Sequence, residues 1–166
     1  MTGAQLRPAE ERDLPAIAEI YGQEVREGTA SFELEAPDFV EMADRLGQVR
    51  RLGLPWLVAE MDGLLAGYAY ATLYRARPAY RHTVEDSVYL APWARGRGMG
   101  RSLLDAVIAE ARKAGAHQMV AVIGDSANLG SVRLHRACGF VEVGVLREVG
   151  FKLDGWLDTV LMQLRL

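Results

Sequence analysis

The sequence predicts a mixed α/β (α+β) fold with its elements in the order β-α-α-β-β-β-α-β-α-β-β, and a few observations carry that reading. The chain has 166 residues, half of them apolar, which suffices for one domain, residues 1–166, with a core of its own. Apolar residues recur at helical spacing in some segments, whereas others are short apolar runs bounded by turn residues. The stretch from Val84 to Arg101, VEDSVYLAPWARGRGMGR, passes from an apolar strand through a turn rich in glycine and arginine directly into an amphipathic helix.

A short strand, Gln5 to Pro8, opens the chain. A helix begins at Asp13-Leu14-Pro15, with Asp13 as its cap and Pro15 in the first turn, where no N–H is needed. Leu14, Ile17, Ala18, Tyr21 and Val25 mark its apolar face. Gly28 to Pro37 reads as a loop, and a second helix runs from Asp38 to about Arg51 with Phe39, Met42, Ala43 and Leu46 on one face. Two strands, Trp56 to Met61 and Leu64 to Tyr74, are joined by Asp62-Gly63, a two-residue hairpin signal. The polar loop Arg75 to Arg81 leads into a strand from His82 to Leu90. After the glycine turn a helix continues to Ala114 and is stopped by Gly115. A strand from Gln118 to Ile123, a helix from Asn128 to Cys138 and two strands, Phe140 to Val149 and Trp156 to Leu164, complete the order.

Composition narrows the function. A net charge of −3 with acids and bases interspersed leaves no basic face, so nucleic acid is not an expected partner. The arginines clustered between Arg75 and Arg112 are a local exception that suits a small anion. No window has the apolar length of a membrane span and Met1 to Arg12 carries no hydrophobic signal region, so no membrane association and a cytoplasmic location are expected. The single cysteine, Cys138, cannot form an internal disulfide and reads as a small core residue, not a nucleophile.

The glycines at 96, 98 and 100 let successive N–H groups converge at the positive end of the helix that follows, an anion cradle suited to a pyrophosphate. A triphosphate-binding loop would carry a lysine before its Ser or Thr, but Gly100 is followed by Arg101-Ser102. A dinucleotide turn needs G-x-G-x-x-G. Gly96-Arg97-Gly98-Met99-Gly100 is one residue short of it, and too little chain follows for a doubly wound sheet. What fits is R-x-x-G-x-G, Arg95 to Gly100, which resembles the coenzyme A pyrophosphate loop of the GCN5-related N-acetyltransferase (GNAT) family.

The element order is similar to that family's acyl-CoA N-acyltransferase fold from end to end, which implies a mixed central sheet flanked by helices. Asn128 to Phe140 resembles the family's second coenzyme-binding segment, with His135 where a tyrosine is usual. That substitution is shared by the phosphinothricin and methionine sulfoximine N-acetyltransferase branch. Thr29 to Glu33, Arg75 to Leu90, and the run from Gly150 through Trp156 to Asp158 are also similar to that branch.

The resemblance implies acetyl transfer from acetyl-CoA, without a metal, to the α-amino group of a small amino-acid-like substrate, by direct attack in a ternary complex. Such chemistry needs a neutral amine, a stabilised oxyanion and a protonated leaving thiolate. The resemblance implies Glu85 as the base that takes the ammonium proton, directly or through a water; the alternative is a strand glutamate paired with a nearby arginine. It also places Glu85, Asp86 and Ser87 beside the acceptor, although strand alternation turns Asp86 to the face opposite Glu85, so both acids cannot serve one site. Val88, Tyr89 and Leu90 are the segment that the resemblance pairs with the pantetheine arm of the coenzyme, and backbone N–H groups around them are the implied oxyanion donors. His135 is a proton donor to the thiolate, a holder of water, or a ring packed beside the coenzyme. Arg95, Gly96, Arg97, Gly98, Met99, Gly100 and Arg101, with Asn128 and Ser131, are the implied coenzyme contacts. Arg75 and Arg77, on a loop with Tyr80, suit a substrate carboxylate or phosphinate, and Phe32 and Glu33 are implied as walls of the same pocket. A homodimer is implied as well, with Trp156 either in a core or at the subunit contact. Another amine or a protein N-terminus as acceptor, and a non-catalytic acyl-CoA sensor, are the alternative readings.

Overall fold

The computed structural model describes residues 4–166, whose strands form one sheet in the order β1-β2-β3-β4-β5-β7-β6. The strands are β1 (Gln5–Pro8), β2 (Trp56–Met61), β3 (Leu64–Leu73), β4 (Thr83–Leu90), β5 (Gln118–Gly124), β6 (Val141–Lys152) and β7 (Gly155–Arg165). The helices are α1 (Leu14–Glu27), α2 (Phe39–Arg51), α3 (Met99–Lys113) and α4 (Leu129–Ala137), in the expected order. The sheet is mixed: β4 and β5 run parallel and every other neighbouring pair is antiparallel. Among the described residues no helix is long and apolar enough to cross a membrane.

Each face of the sheet has its own core. Leu14, Ile17 and Val25 of α1 and Met42, Leu46 and Val49 of α2 pack on Val58 and Tyr68. On the other face Leu103, Leu104 and Val107 of α3 pack on Val84, Met119 and Met162. A fully buried side chain of this size stabilises by about 1.5–3 kcal/mol, so these two layers hold the sheet rigid between them.

Local chemistry sets most boundaries. Asp62 and Gly63 have φ of 53° and 77°, the conformation of the tight hairpin turn that joins β2 to β3. The Asp38 side chain caps α2 by accepting from Glu41 N. Asp13 does not cap α1 as expected. Its carboxylate accepts from the Arg7 guanidinium at 2.7 Å on both oxygens and from Glu10 N at 2.8 Å, tying β1 to a short 3-10 turn before the helix. Phe39, expected on the buried face of α2, is 53% exposed, and Val49 takes its place. The stretch from Gly150 to Trp156 is the tip of the β6–β7 hairpin, closed by Leu153 and Asp154 at φ of 51° and 57°.

Candidate active site

The site is built around β4. Ala91 N donates to Ala66 O and Tyr74 N donates to Thr83 O, whereas His82 O accepts from His117 N. Odd-numbered residues of β4 therefore turn their backbone groups toward β3, and even-numbered ones toward β5. The β3 side stays paired through Leu90, but the β5 side is in register only at Thr83, Val84 and Glu85. Beyond Glu85 the two parallel strands part, and the backbone N–H groups of Val88 and Leu90 face the opening wedge. Tyr89, grouped with them in sequence, faces β3 instead, and its ring lies edge-on to Tyr21 at 4.9 Å beneath α1.

Side chains alternate in the same way. Thr83, Glu85, Ser87 and Tyr89 point to the face of α1 and α2, and Val84 and Asp86 to that of α3 and α4. Glu85 is half-buried at the last paired register. Burial, and then the like charge of Asp86 one residue on, push its carboxyl up to about 7, with Arg75 acting the other way. A carboxyl at that value exchanges protons near neutral pH. A cleft of about 230 Å³ is lined by Tyr74, Tyr80, Thr83 and Gln118 and by Val120, the register partner of Glu85, although Glu85 itself is not part of its lining. Ser87 meets the Tyr70 hydroxyl on the same face. A larger cavity, about 670 Å³, lies at the β1–β2 edge between α2 and α3 and touches none of the candidate residues.

The arginine loop flanks Glu85. Arg75 lies over the Tyr74 ring at 5.0 Å, and Tyr74 meets Tyr80 edge-on at 5.9 Å. Arg77 is exposed and opens the 3-10 turn Pro78–Tyr80. The solvent-facing guanidiniums of both arginines give this rim the positive charge that an anionic acceptor requires.

The loop after α1 packs against the C-terminal ends of β5 and β6. The Phe32 ring lies so close to Gly124 and Gly150 that a Cβ at either would come within 2.9 Å and 2.3 Å of it. Thr29 Oγ1 donates to Asp125 Oδ2 at 2.6 Å, and the Lys152 ammonium, 6% exposed, donates to Ser31 O at 2.6 Å. Glu33 is not an open wall residue. Arg45 grips both its oxygens and the Tyr21 hydroxyl donates to it; although burial pushes its carboxyl up, these partners hold it below the usual range. The Lys152 contact was not legible in the sequence, because its partner stands 121 positions away.

Asp86 is also redirected. Its side chain is 1% exposed and its Oδ2 lies 2.9 Å from His135 Nε2, so it is removed from the acceptor face. His135 Nδ1 donates to Ser131 O at 2.7 Å; a carbonyl can only accept, which fixes the proton on Nδ1. Burial lowers the imidazole's proton affinity, but Asp86 and the Ser131 carbonyl outweigh it and raise it. With both nitrogens engaged and the ring 4% exposed, His135 lies beneath the wedge and is not placed to protonate a thiolate. Asn128 caps α4 by accepting from Ser131 N at 3.2 Å. Cys138 is pushed up to about 12, by burial and then by Asp105, and stays a thiol at neutral pH.

The glycine turn ends at α3. Gly98 sits at the N-cap with φ of 80°, no side chain caps the helix, and Ser102 N, bonding Gly98 O at 3.1 Å, is the first to join its ladder. The preceding N–H groups are thus available to an anion. A Cβ at Gly98 would meet nothing within 4 Å, so the cradle opens outward and the glycine is required by its backbone angle. Gly100 has another cause: a Cβ there would lie 3.3 Å from Leu134 Cδ2 and 3.4 Å from Leu90 Cδ1, so it permits α3 to approach α4 and β4. Met99 is buried, while Arg95 and Arg101 reach outward, to Glu24 at 3.8 Å and Asp105 at 3.6 Å, and Arg97 is exposed.

Residues 15–140 fit the model of the acetyltransferase (GNAT) family. The chain is 56% identical over 158 residues to a phosphinothricin N-acetyltransferase of Alcaligenes faecalis, covering 95% of this chain and 80% of that protein. It is 40% identical over 161 residues to an L-methionine sulfoximine/L-methionine sulfone acetyltransferase of Salmonella typhimurium, covering 97% and 94%. The crystal structure of a phosphinothricin acetyltransferase from Sinorhizobium meliloti in complex with acetyl-CoA superposes with a TM-score of 0.95 at 45% identity, over 98% of this chain and 88% of that one.

Proposed function

The chain belongs to the GNAT acetyltransferase family, and from that premise we propose that it is an acetyl-CoA-dependent N-acetyltransferase acting on the α-amino group of a small, anionic, amino-acid-like substrate. The observation that carries this reading is Glu85, a half-buried carboxyl at about 7 set at the register where β4 and β5 part. The relatives named for phosphinothricin and methionine sulfoximine support that acceptor class.

The uncapped N-terminus of α3 and the turn from Arg95 to Arg101 fit the coenzyme diphosphate, with Gly96, Gly98 and Met99 contributing backbone and the arginines charge. Acetyl-CoA supplies the acetyl group as a thioester. Glu85 accepts the ammonium proton of the acceptor, which frees the amine to attack the thioester carbonyl directly; the C–N bond forms as the C–S bond breaks, and the proton lost from the nitrogen returns the departing thiolate of coenzyme A to the thiol. Val88 and Leu90 N–H groups offer hydrogen bonds toward the wedge, where carbonyl charge develops. Arg75 and Arg77, with Tyr80, hold the acceptor's anionic group, and Phe32 closes the pocket.

The same reading includes a homodimer. Phe151 and Trp156 are 55% and 64% exposed and stack edge-on at 5.1 Å on the hairpin tip, continuous with exposed Val141, Val143 and Val149 on edge strand β6. A second copy of the chain would cover that apolar edge. Light scattering is expected to show a dimer that Trp156→Asp converts to monomer. For the activity, wild-type protein with acetyl-CoA is offered free amino acids, sulfoximine and phosphinate analogues, and the matching decarboxylated amines, with free thiol as readout. Turnover confined to the anionic acceptors supports the reading, and turnover of the amines alone refutes it.

A further inference from the structure

Asp86 and His135 are buried ionisable groups that the proposed proton transfer does not use. They stand where the sheet loses its own support. Glu85 is the last residue of β4 in register with β5, so beyond Asp86 the strand is held on the β3 side alone. At the end of that pairing the Asp86 carboxylate turns under the sheet and meets α4. Oδ2 lies 2.9 Å from His135 Nε2, while Oδ1 is buried without a hydrogen-bond partner among the described residues. The imidazole is in turn anchored within α4, where Nδ1 donates to Ser131 O and Phe140 lies edge-on at 5.0 Å.

Because Nδ1 is a donor, the contact between Nε2 and Oδ2 holds together only when it contains one proton, carried by either atom. Removing that proton would set a lone pair against a carboxylate in a site closed to water. Keeping it makes a charge-assisted hydrogen bond across the gap that β5 leaves. Leaving one member of such a buried pair without the other is strongly destabilising, so the two side chains hold their backbones at a fixed separation.

We propose that Asp86 and His135 form a proton-sharing latch that clamps the unpaired half of β4 to α4 and thereby positions the Val88 and Leu90 N–H groups for acetyl transfer. Both are positioning residues, and the inference rests on the acetyl-transfer reading of this cleft. Glu85 on the same strand is the ionisable neighbour of Asp86 on the open face, where Arg75 acts on Glu85 and Glu85 in turn raises the Tyr70 hydroxyl. On the closed face Cys138 is near Asp86, with Asp105 and Arg101 of α3 acting on the thiol.

Asp86→Ala breaks the latch. Asp86→Asn preserves its shape, since the amide can donate to a neutral imidazole, and removes only the charge. In steady-state kinetics with acetyl-CoA and an amino-acid acceptor, Asp86→Ala is expected to lower kcat by about 10- to 100-fold, as small misplacements do, with acetyl-CoA affinity within about threefold. Asp86→Asn is expected to recover most of kcat and to move the acidic limb of the kcat/KM profile to lower pH, because the like charge beside Glu85 is gone. Nitrogen-15 spectra of the imidazole are expected to show Nδ1 protonated, with an Nε2 signal that responds to both substitutions. A folded Asp86→Ala variant with wild-type kcat, or an Asn variant no better than Ala, overturns the latch. Wild-type protein without turnover on any amine strikes the acetyl-transfer reading instead; the latch is then judged by the spectra, where an Nε2 signal unmoved by Asp86 substitution refutes it.

Discussion

Glu85 and Asp86 are one peptide bond apart, yet the face of β4 that carries Glu85 stays half-open beside the arginine loop, whereas the face that carries Asp86 is closed by α4. The open carboxyl is left without a fixed cationic partner, and burial with like charge raises it to about 7. The closed one is spent on His135. Two identical functional groups thus separate into a proton-exchanging residue and a structural one through strand alternation and the layer each face meets. His135 accordingly engages Asp86 on the closed face.

The largest way to break this contrast is Glu85→Gln. It should lower kcat by about 10²-fold or more at neutral pH while leaving acetyl-CoA affinity unchanged, as calorimetry and initial rates would show. Wild-type kcat/KM should rise with pH through about 7, since the unprotonated form is the base. Stability runs the other way. Between the ordinary glutamate value of 4.5 and about 7, folded Glu85 retains a proton that the unfolded chain has released, so stability falls as pH rises through that window. The Gln variant should therefore melt above wild type at pH 8 and closer to it at pH 5. A variant that keeps wild-type turnover would assign the open face no proton chemistry.

A smaller effect should follow at the glycine turn. Gly98→Ala places a side chain at φ of 80°, a conformation that costs about 1–2 kcal/mol, and relaxing it would withdraw N–H groups from the cradle. Acetyl-CoA should bind about tenfold more weakly in a protein that melts near wild type. Gly100→Ala tests the other cause: its Cβ presses on Leu134 and Leu90, so the melting temperature should fall along with affinity. Equal effects from both substitutions would erase the distinction.

Arg75→Ala sharpens the open face further. It should raise acceptor KM several-fold for an amino acid and little for its decarboxylated amine, and shift the acidic limb of kcat/KM upward, because Arg75 favours ionised Glu85. Equal losses for both acceptors would refute anion recognition there. The smallest effect belongs to Cys138→Ala, expected to change kcat less than about twofold, since a thiol held at about 12 carries no acetyl group at neutral pH. Incubation with labelled acetyl-CoA should leave the protein unlabelled; label lost in the variant would make Cys138 an acyl carrier.

Much of the molecule was legible before its structure. Helical spacing from Leu14 to Val25, the Asp62-Gly63 turn and the glycine turn into α3 are local signals, and each element stands where those signals put it. Errors arose where a local rule met a competing side chain. Asp13 is a good capping residue, but Arg7 offers a bidentate fork and takes its carboxylate. Glu33 belongs to a stretch shared with the acetyltransferase branch, and Arg45 and Tyr21 still claim it.

The sequence by itself determined the element order, the anion cradle at 95–101 and the opposite facing of Glu85 and Asp86, because each depends on residues a few positions apart and on backbone periods that no packing alters. Only the tertiary structure decided where β4 and β5 part, that Asp86 is paired with His135 49 positions away, and that Lys152 reaches Ser31 O from 121 positions away. The reason is physical: a side chain's partner is set by the layers folded against it, and the proton affinity of Glu85 is set by the water those layers exclude.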